Sequence, residues 1–166
     1  MAAKVISFSL DKESIARAVR ELNEYIDEVK RLLGELVKKL TEEGVHISTV
    51  KISELGAVDT GELSDSMYAE YDEQTHVGFI RSKAFYAFYV EYGTGIVGSK
   101  GPHPDGGTYD VNNHGEAGWS YIATHRDGKL HWTKGQISRP FLYETRKELE
   151  RRAQAAFSEV FNGTGR

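Results

Sequence analysis

Ile15, Val19, Leu22, Ile26, Val29, Leu33, Leu36 and Leu40 recur at alternating steps of four and three. An α-helix turns once per 3.6 residues, so this spacing gathers the side chains into one apolar stripe. Tyr25, Leu32 and Val37 widen the stripe, and Glu13/Arg17, Asp27/Arg31 and Glu35/Lys39 stand acid-first at i, i+4 on the remaining surface. The pattern predicts a helix over about residues 11–43, roughly 50 Å long at 1.5 Å per residue. Gly34 weakens it by about 1 kcal/mol relative to Ala, and Gly44 fits a C-terminal stop. Heptad spacing also suits a coiled coil. The charges form no clean interhelical pattern, which favours a helix lying lengthwise across its own sheet.

The remainder divides into shorter elements. Residues 4–8 alternate as a short strand does. Residues 45–55 stay open: Val45, Ile47 and Thr49 alternate, whereas Ile47, Val50, Lys51 and Leu55 could line a helix. Asp59 followed by Glu62 resembles a capping box at a short helical turn. Residues 67–72 and 76–81 alternate about Asp72-Glu73-Gln74 and predict a hairpin. Residues 93–135 hold ten of the 17 Gly and two of the three Pro. Their first half, about 97–118, predicts a long mobile loop, and residues 119–124 and 130–133 about Asp127-Gly128 predict a second hairpin. Ser138 before Pro140 opens a last helix carrying Phe141, Leu142, Leu149, Ala153, Phe157 and Val160 inward. The expected fold is α+β, one domain over 1–166. The N-terminal and C-terminal helices pack on an antiparallel sheet, and a long Gly-rich loop interrupts them.

At 166 residues the chain can bury a sizeable core. No window approaches the roughly 18 uninterrupted apolar residues of a membrane span, and the first residues turn polar too soon for a signal peptide. No Cys is present, and the formal charge is −4. The expectation is a soluble intracellular domain without disulfides, thiolate metal sites, membrane partners or a general attraction for nucleic acid.

Three patterns resemble chemical sites. Gly93-Thr94-Gly95-Ile96-Val97-Gly98 matches G-x-G-x-x-G, but a dinucleotide needs a strand before it and a helix after it. Pro102 and Pro104 are expected to prevent that helix, leaving the glycines as hinges. Asp59-Thr60-Gly61 matches the aspartic-protease triplet, where two copies would share a proton across a dimer. The alternative is a cap, with Asp59, Thr60 and Gly61 forming a turn. His103, His114, His125 and His131 with Asp105 and Asp110 lack the i, i+4 spacing of helical metal ligands. The expectation is no catalytic set, no cofactor and no metal. One charge feature stands apart: between Lys51 and Arg81 lie Glu54, Asp59, Glu62, Asp65, Glu70, Asp72 and Glu73, with no Lys or Arg. Such a run is either a solvated face or a surface that repels DNA.

Tyr86-Ala87-Phe88-Tyr89-Val90-Glu91-Tyr92-Gly93-Thr94 sets four aromatic rings beside one carboxylate, and Arg139-Pro140-Phe141-Leu142 opens the last helix some 45 residues later. With Val58-Asp59-Thr60-Gly61-Glu62-Leu63, Trp119 and Thr133-Lys134-Gly135-Gln136, these pieces come in the order seen in a phage family. The chain resembles the neck, or tail-completion, proteins of long-tailed phages typified by Hong Kong phage ninety-seven. Ala57 departs from the Pro usual before V-D-T-G, and Glu144-Thr145 from the usual P-A. The resemblance implies an α+β, non-enzymatic virion protein, assembled in the host cytoplasm into a sixfold homo-oligomeric ring at the neck. There it would join the DNA-filled head to the tail. Implied partners are an adjacent head-closure or connector ring, a tail terminator or tail tube, and duplex DNA passing without specific binding. Expected interface residues are Tyr86, Tyr89, Glu91, Tyr92, Thr94, Trp119, Trp132, Arg139 and Phe141. Gly93 joins Asp59, Thr60 and Gly61 as a structural turn, and Glu54, Glu62, Asp65, Glu70, Asp72 and Glu73 are candidate channel-facing acids. The alternatives are a tail terminator, a head-closure protein, or a homodimeric aspartic protease using Asp59.

Overall fold

The computed structural model describes residues 5–107, 117–124 and 126–163. Its main axis is α1, Lys12–Glu54, whose first turn is closed by Asp11 Oδ1 accepting from the Ser14 N–H at 2.9 Å. The helix runs past Gly44, and residues 45–54 are helical rather than extended. Gly44 is no stop because its bare Cα face is a packing contact. A Cβ there would meet the side chains of Ile80 and Leu149. Residues 5–9 form no strand.

After α2, Glu62–Asp65, the strands β1, Met67–Asp72, and β2, Val77–Ser82, pair antiparallel from Met67↔Ser82 to Asp72↔Val77. Asp72 Oδ1 accepts from the Gln74 and Thr75 N–H groups and shapes the turn. This hairpin lies along α1. Gly78 faces Thr41 and Val37, Ile80 faces Gly44, and at the tip Tyr71 and His76 meet Gly34 while Glu73 pairs with Lys38 at 3.1 Å. Next come α3, Ala87–Tyr92, α4, Gly95–Lys100, and the second hairpin of β3, Trp119–Ile122, with β4, Leu130–Thr133. The expected single sheet is therefore two separate two-stranded sheets. The expected loop over 97–118 begins in helix α4, and residues 108–116 lie outside those described.

The last helix, α5, Phe141–Gly163, returns antiparallel to α1. Leu149 lies against Gly44, Arg152 Nη1 binds Glu43 at 2.5 Å, and Lys39 pairs with Glu159. Of its expected inward residues Phe141 is fully buried, whereas Phe157 is exposed and Phe161 is buried in its place. The core gathers at the C-terminal end of α1, where Ile52, Leu63, Met67, Ala84, Val90 and Phe141 meet. Covering apolar side chains from water, at about 25 cal/mol per Å², is what holds this end together. Among the described residues, the other end of α1 has no such cover. Ile15, Val19, Leu22 and Ile26 remain 41%, 52%, 48% and 40% exposed. A helix lying lengthwise on its own sheet describes only the second half of α1.

Candidate functional site

The two motifs separated by some 45 residues form one unit. Thr94 and Gln136 exchange backbone hydrogen bonds at 2.9 and 3.1 Å, and Gln136 Nε2 donates to the Tyr89 carbonyl at 3.1 Å. The Arg139 N–H donates to Val90 O at 2.8 Å, and Ser138 Oγ to Glu91 O at 2.5 Å. So close an approach needs glycine on both sides. Gly93 and Gly135 have φ of 72° and 101°, and a Cβ on either would strike the opposite backbone.

Glu91 fastens the joint from inside. Its Oε2 accepts from Leu142 N–H at 2.8 Å and its Oε1 from Tyr143 N–H at 3.0 Å. These are first-turn donors of α5, which no residue of that helix can satisfy, and the positive end of the helix dipole favours the carboxylate there. His103 Nε2 lies 3.0 Å from Glu91 Oε1, while the Asp105 N–H reaches His103 Nδ1 at 3.1 Å. With Nδ1 accepting, the ring hydrogen sits on Nε2 and points at Glu91. Tyr92 stacks on His103 at 4.4 Å between centroids, and Tyr143 meets it edge-on.

This inner role separates the expected interface residues. Glu91, Thr94 and Phe141 are buried and offer a neighbour no surface. Tyr86, Tyr89, Tyr92, Trp119 and Arg139 are half-buried, and Trp132 is exposed with Lys134 Nζ 5.8 Å above its ring. Phe85 and Phe88 turn outward. Between the turn at 56–61, α3 and the second hairpin lies a half-open cavity of about 670 Å³ lined by Val58, Leu63, Tyr89, Trp119 and Ile122. Burial, then the Glu62 carboxylate, push the Tyr86 hydroxyl up to about 12. It therefore keeps its proton and donates to Glu62 Oε2 at 3.3 Å.

Asp59 does not cap α2. Gly61 takes the cap position with φ 89°, and Thr60 Oγ1 accepts from the Glu62 N–H at 3.3 Å. Asp59 is exposed and sits 3.8 Å from Arg126. In the G-x-G-x-x-G segment a helix does follow, because α4 is complete before Pro102. The element before it is helix α3 rather than a strand, so a dinucleotide fold is not formed. His103 serves Glu91 and His131 pairs with Asp127 at 3.0 Å, while Asp110, His114 and His125 lie outside the described residues. Among the described residues no three His, Asp or Glu converge as metal ligands do, and no helix is long and apolar enough to cross a membrane.

All six candidate channel acids are exposed, but three are neutralised by neighbours. Glu54 binds Lys51 at 2.6 Å, Glu70 binds Arg81 at 2.6 Å and Glu73 binds Lys38. The bases flanking the acidic run in sequence, and one from α1, fold back onto it.

Residues 20–93 match one family model. It is the HK97-gp10-like family, described as "Bacteriophage HK97-gp10, putative tail-component". The match takes in α1 from Arg20, then α2, the first hairpin and α3, ending at Gly93. Over those residues the chain is similar to phage tail components, as the motifs at 58–63 and 86–94 imply. The motifs at 133–136 and 139–142 lie outside the matched span and are tied to it by the bonds to α3. No curated protein and no solved structure matches the chain.

Proposed function

We propose that this chain is a structural, non-enzymatic virion protein that forms a homo-oligomeric ring at the phage neck. The ring joins the DNA-filled head to the tail and leaves a channel for DNA. The observation that carries this reading is the tail-component match over residues 20–93. The geometry supports it: the buried polar groups around Glu91 are spent on joining α3 to α5, and large apolar side chains stand exposed beside that joint. Phe85, Phe88, Ile122 and Trp132 provide contact area for a neighbouring chain. Head-to-tail contacts between copies close into a ring when the rotation between them allows it. Neighbours above and below would be a head-closure or connector ring and a tail terminator or tail tube. The protein would assemble in the host cytoplasm and reside in the virion neck. Duplex DNA would pass without specific binding, since a net charge of −4 gives no general attraction for phosphates.

Electron microscopy of particles made without this chain tests the proposal. Filled heads and finished tails should lie apart, and adding the chain back should join them. Normally joined particles in its absence would overturn the neck assignment.

A further inference from the structure

The apolar stripe of α1 is continuous in sequence but only half used. From Leu36 onward it is covered by α5 and the first hairpin, whose tip stops at Gly34 and Lys38. Residues 12–31 extend beyond both as an arm of about 30 Å at 1.5 Å per residue. Ile15, Val19, Leu22 and Ile26 form an exposed row along it; Val29, next in the stripe, is half-buried, and Leu33 is exposed again. Exposed apolar side chains scattered singly are ordinary, whereas a contiguous row marks a contact surface.

We propose that this row is where a second copy of the chain packs, arm against arm, as a short coiled coil. The spacing is a strict alternation of three and four, the 3.5-residue period that keeps two supercoiled helices in register. The positions flanking the row on the arm are Ala16, Ala18, Asn23, Tyr25 and Lys30, so a single charge borders the seam. The remaining charges stand on the far side, where Arg31 is held by Glu28 at 2.7 Å and by Glu35. Over residues 15–33 the bases Arg17, Arg20, Lys30 and Arg31 balance the acids Glu21, Glu24, Asp27 and Glu28. A balanced arm neither repels its own copy nor carries the basic polar face by which an amphipathic helix settles on an anionic lipid surface. The same stripe, further along, already packs against the antiparallel helix α5.

Pairing the same face of two copies is a two-fold contact that does not by itself close a ring, so the proposal goes beyond the ring reading, and its test separates the two. Sedimentation of the full chain should give a mass of more than one copy. Val19→Glu/Ile26→Glu should reduce that mass to a single chain while helical circular dichroism is retained. Val19→Ser/Ile26→Ser, milder at these exposed positions, should weaken association in the same direction. Arg20→Glu/Glu24→Arg on the far face should leave the mass unchanged. Stripe variants that keep the wild-type mass would overturn the arm contact and leave self-assembly through another surface standing. A wild-type chain that stays single up to its solubility limit would overturn both. Because the protein has no Cys, Leu22→Cys/Ile26→Cys adds a clean second readout. A disulfide between copies is expected, and its absence under oxidation counts against the seam.

Discussion

Glu91 is the residue at which sequence and structure assign different work to one side chain. Among four aromatic rings it reads as part of a surface for a neighbour, yet it is buried, with one carboxylate holding two backbone N–H groups of α5 and the ring of His103. Its donors come 51 and 52 residues later, and a contact to a backbone N–H leaves no side-chain signature at the donor position. That is why the role is illegible in the motif itself. Leaving a buried donor without its partner costs about 1–3 kcal/mol each. Glu91→Ala should therefore lower stability by about 3 kcal/mol or more and unfold the joint between α3 and α5, whereas Glu91→Gln, which keeps an acceptor oxygen, should lose less. Thermal melts in the order wild type, Gln, Ala are expected. An Ala variant melting with the wild type would mean that water satisfies those donors. At Asp59 the error has a similar origin: the capping-box pattern names Asp59 and Glu62, but Thr60 is the residue whose oxygen reaches the Glu62 N–H.

At the scale of elements, period was legible and boundaries were not. The 3.6-residue stripe placed α1, and alternation placed both hairpins within a residue or two of their observed limits. Gly44 misled because a glycine that ends a helix and one that admits a close neighbour look alike in a sequence. Only Ile80 and Leu149, brought in by folding, distinguish them. The α1–α5 seam also carries a pH signature. Hydrogen bonds from Arg151 and then Arg152 hold the Glu148 carboxyl down to about 2 from its ordinary 4.5, and Arg152 also reaches Glu43 on α1. A folded-state value below the unfolded one means stabilisation present in full above pH 4.5 and lost as pH falls toward 2. Unfolding midpoints in denaturant should decline across that window. Arg152→Met, which deletes one of the two guanidinium partners and the link to Glu43, should flatten the decline. An unchanged slope in that variant would place the acid sensitivity elsewhere.

For the whole molecule the decisive asymmetry is between the two ends of α1. Its C-terminal end is enclosed by α5, the first hairpin and the core about Ile52 and Phe141, whereas residues 12–31 have no cover of that kind from α5 or the hairpin. Isolated helices in water are marginal even at 12–15 residues, since most helical stability in proteins comes from packing an apolar face. Backbone amides of the arm should therefore open locally, independent of global unfolding, wherever no second copy covers them. In the single-chain Val19→Glu/Ile26→Glu protein, hydrogen exchange should be fast through residues 12–31 and slow through 36–54. The change should fall near Leu32 and Gly34, the first buried positions beyond the arm. In the wild-type assembly the arm should slow markedly, and dilution should restore its fast exchange while leaving 36–54 slow, because only the arm's protection depends on concentration. If the arm of the single-chain variant exchanges as slowly as the enclosed half, its stability comes from its own chain. The exposed row would then have no need of a second copy.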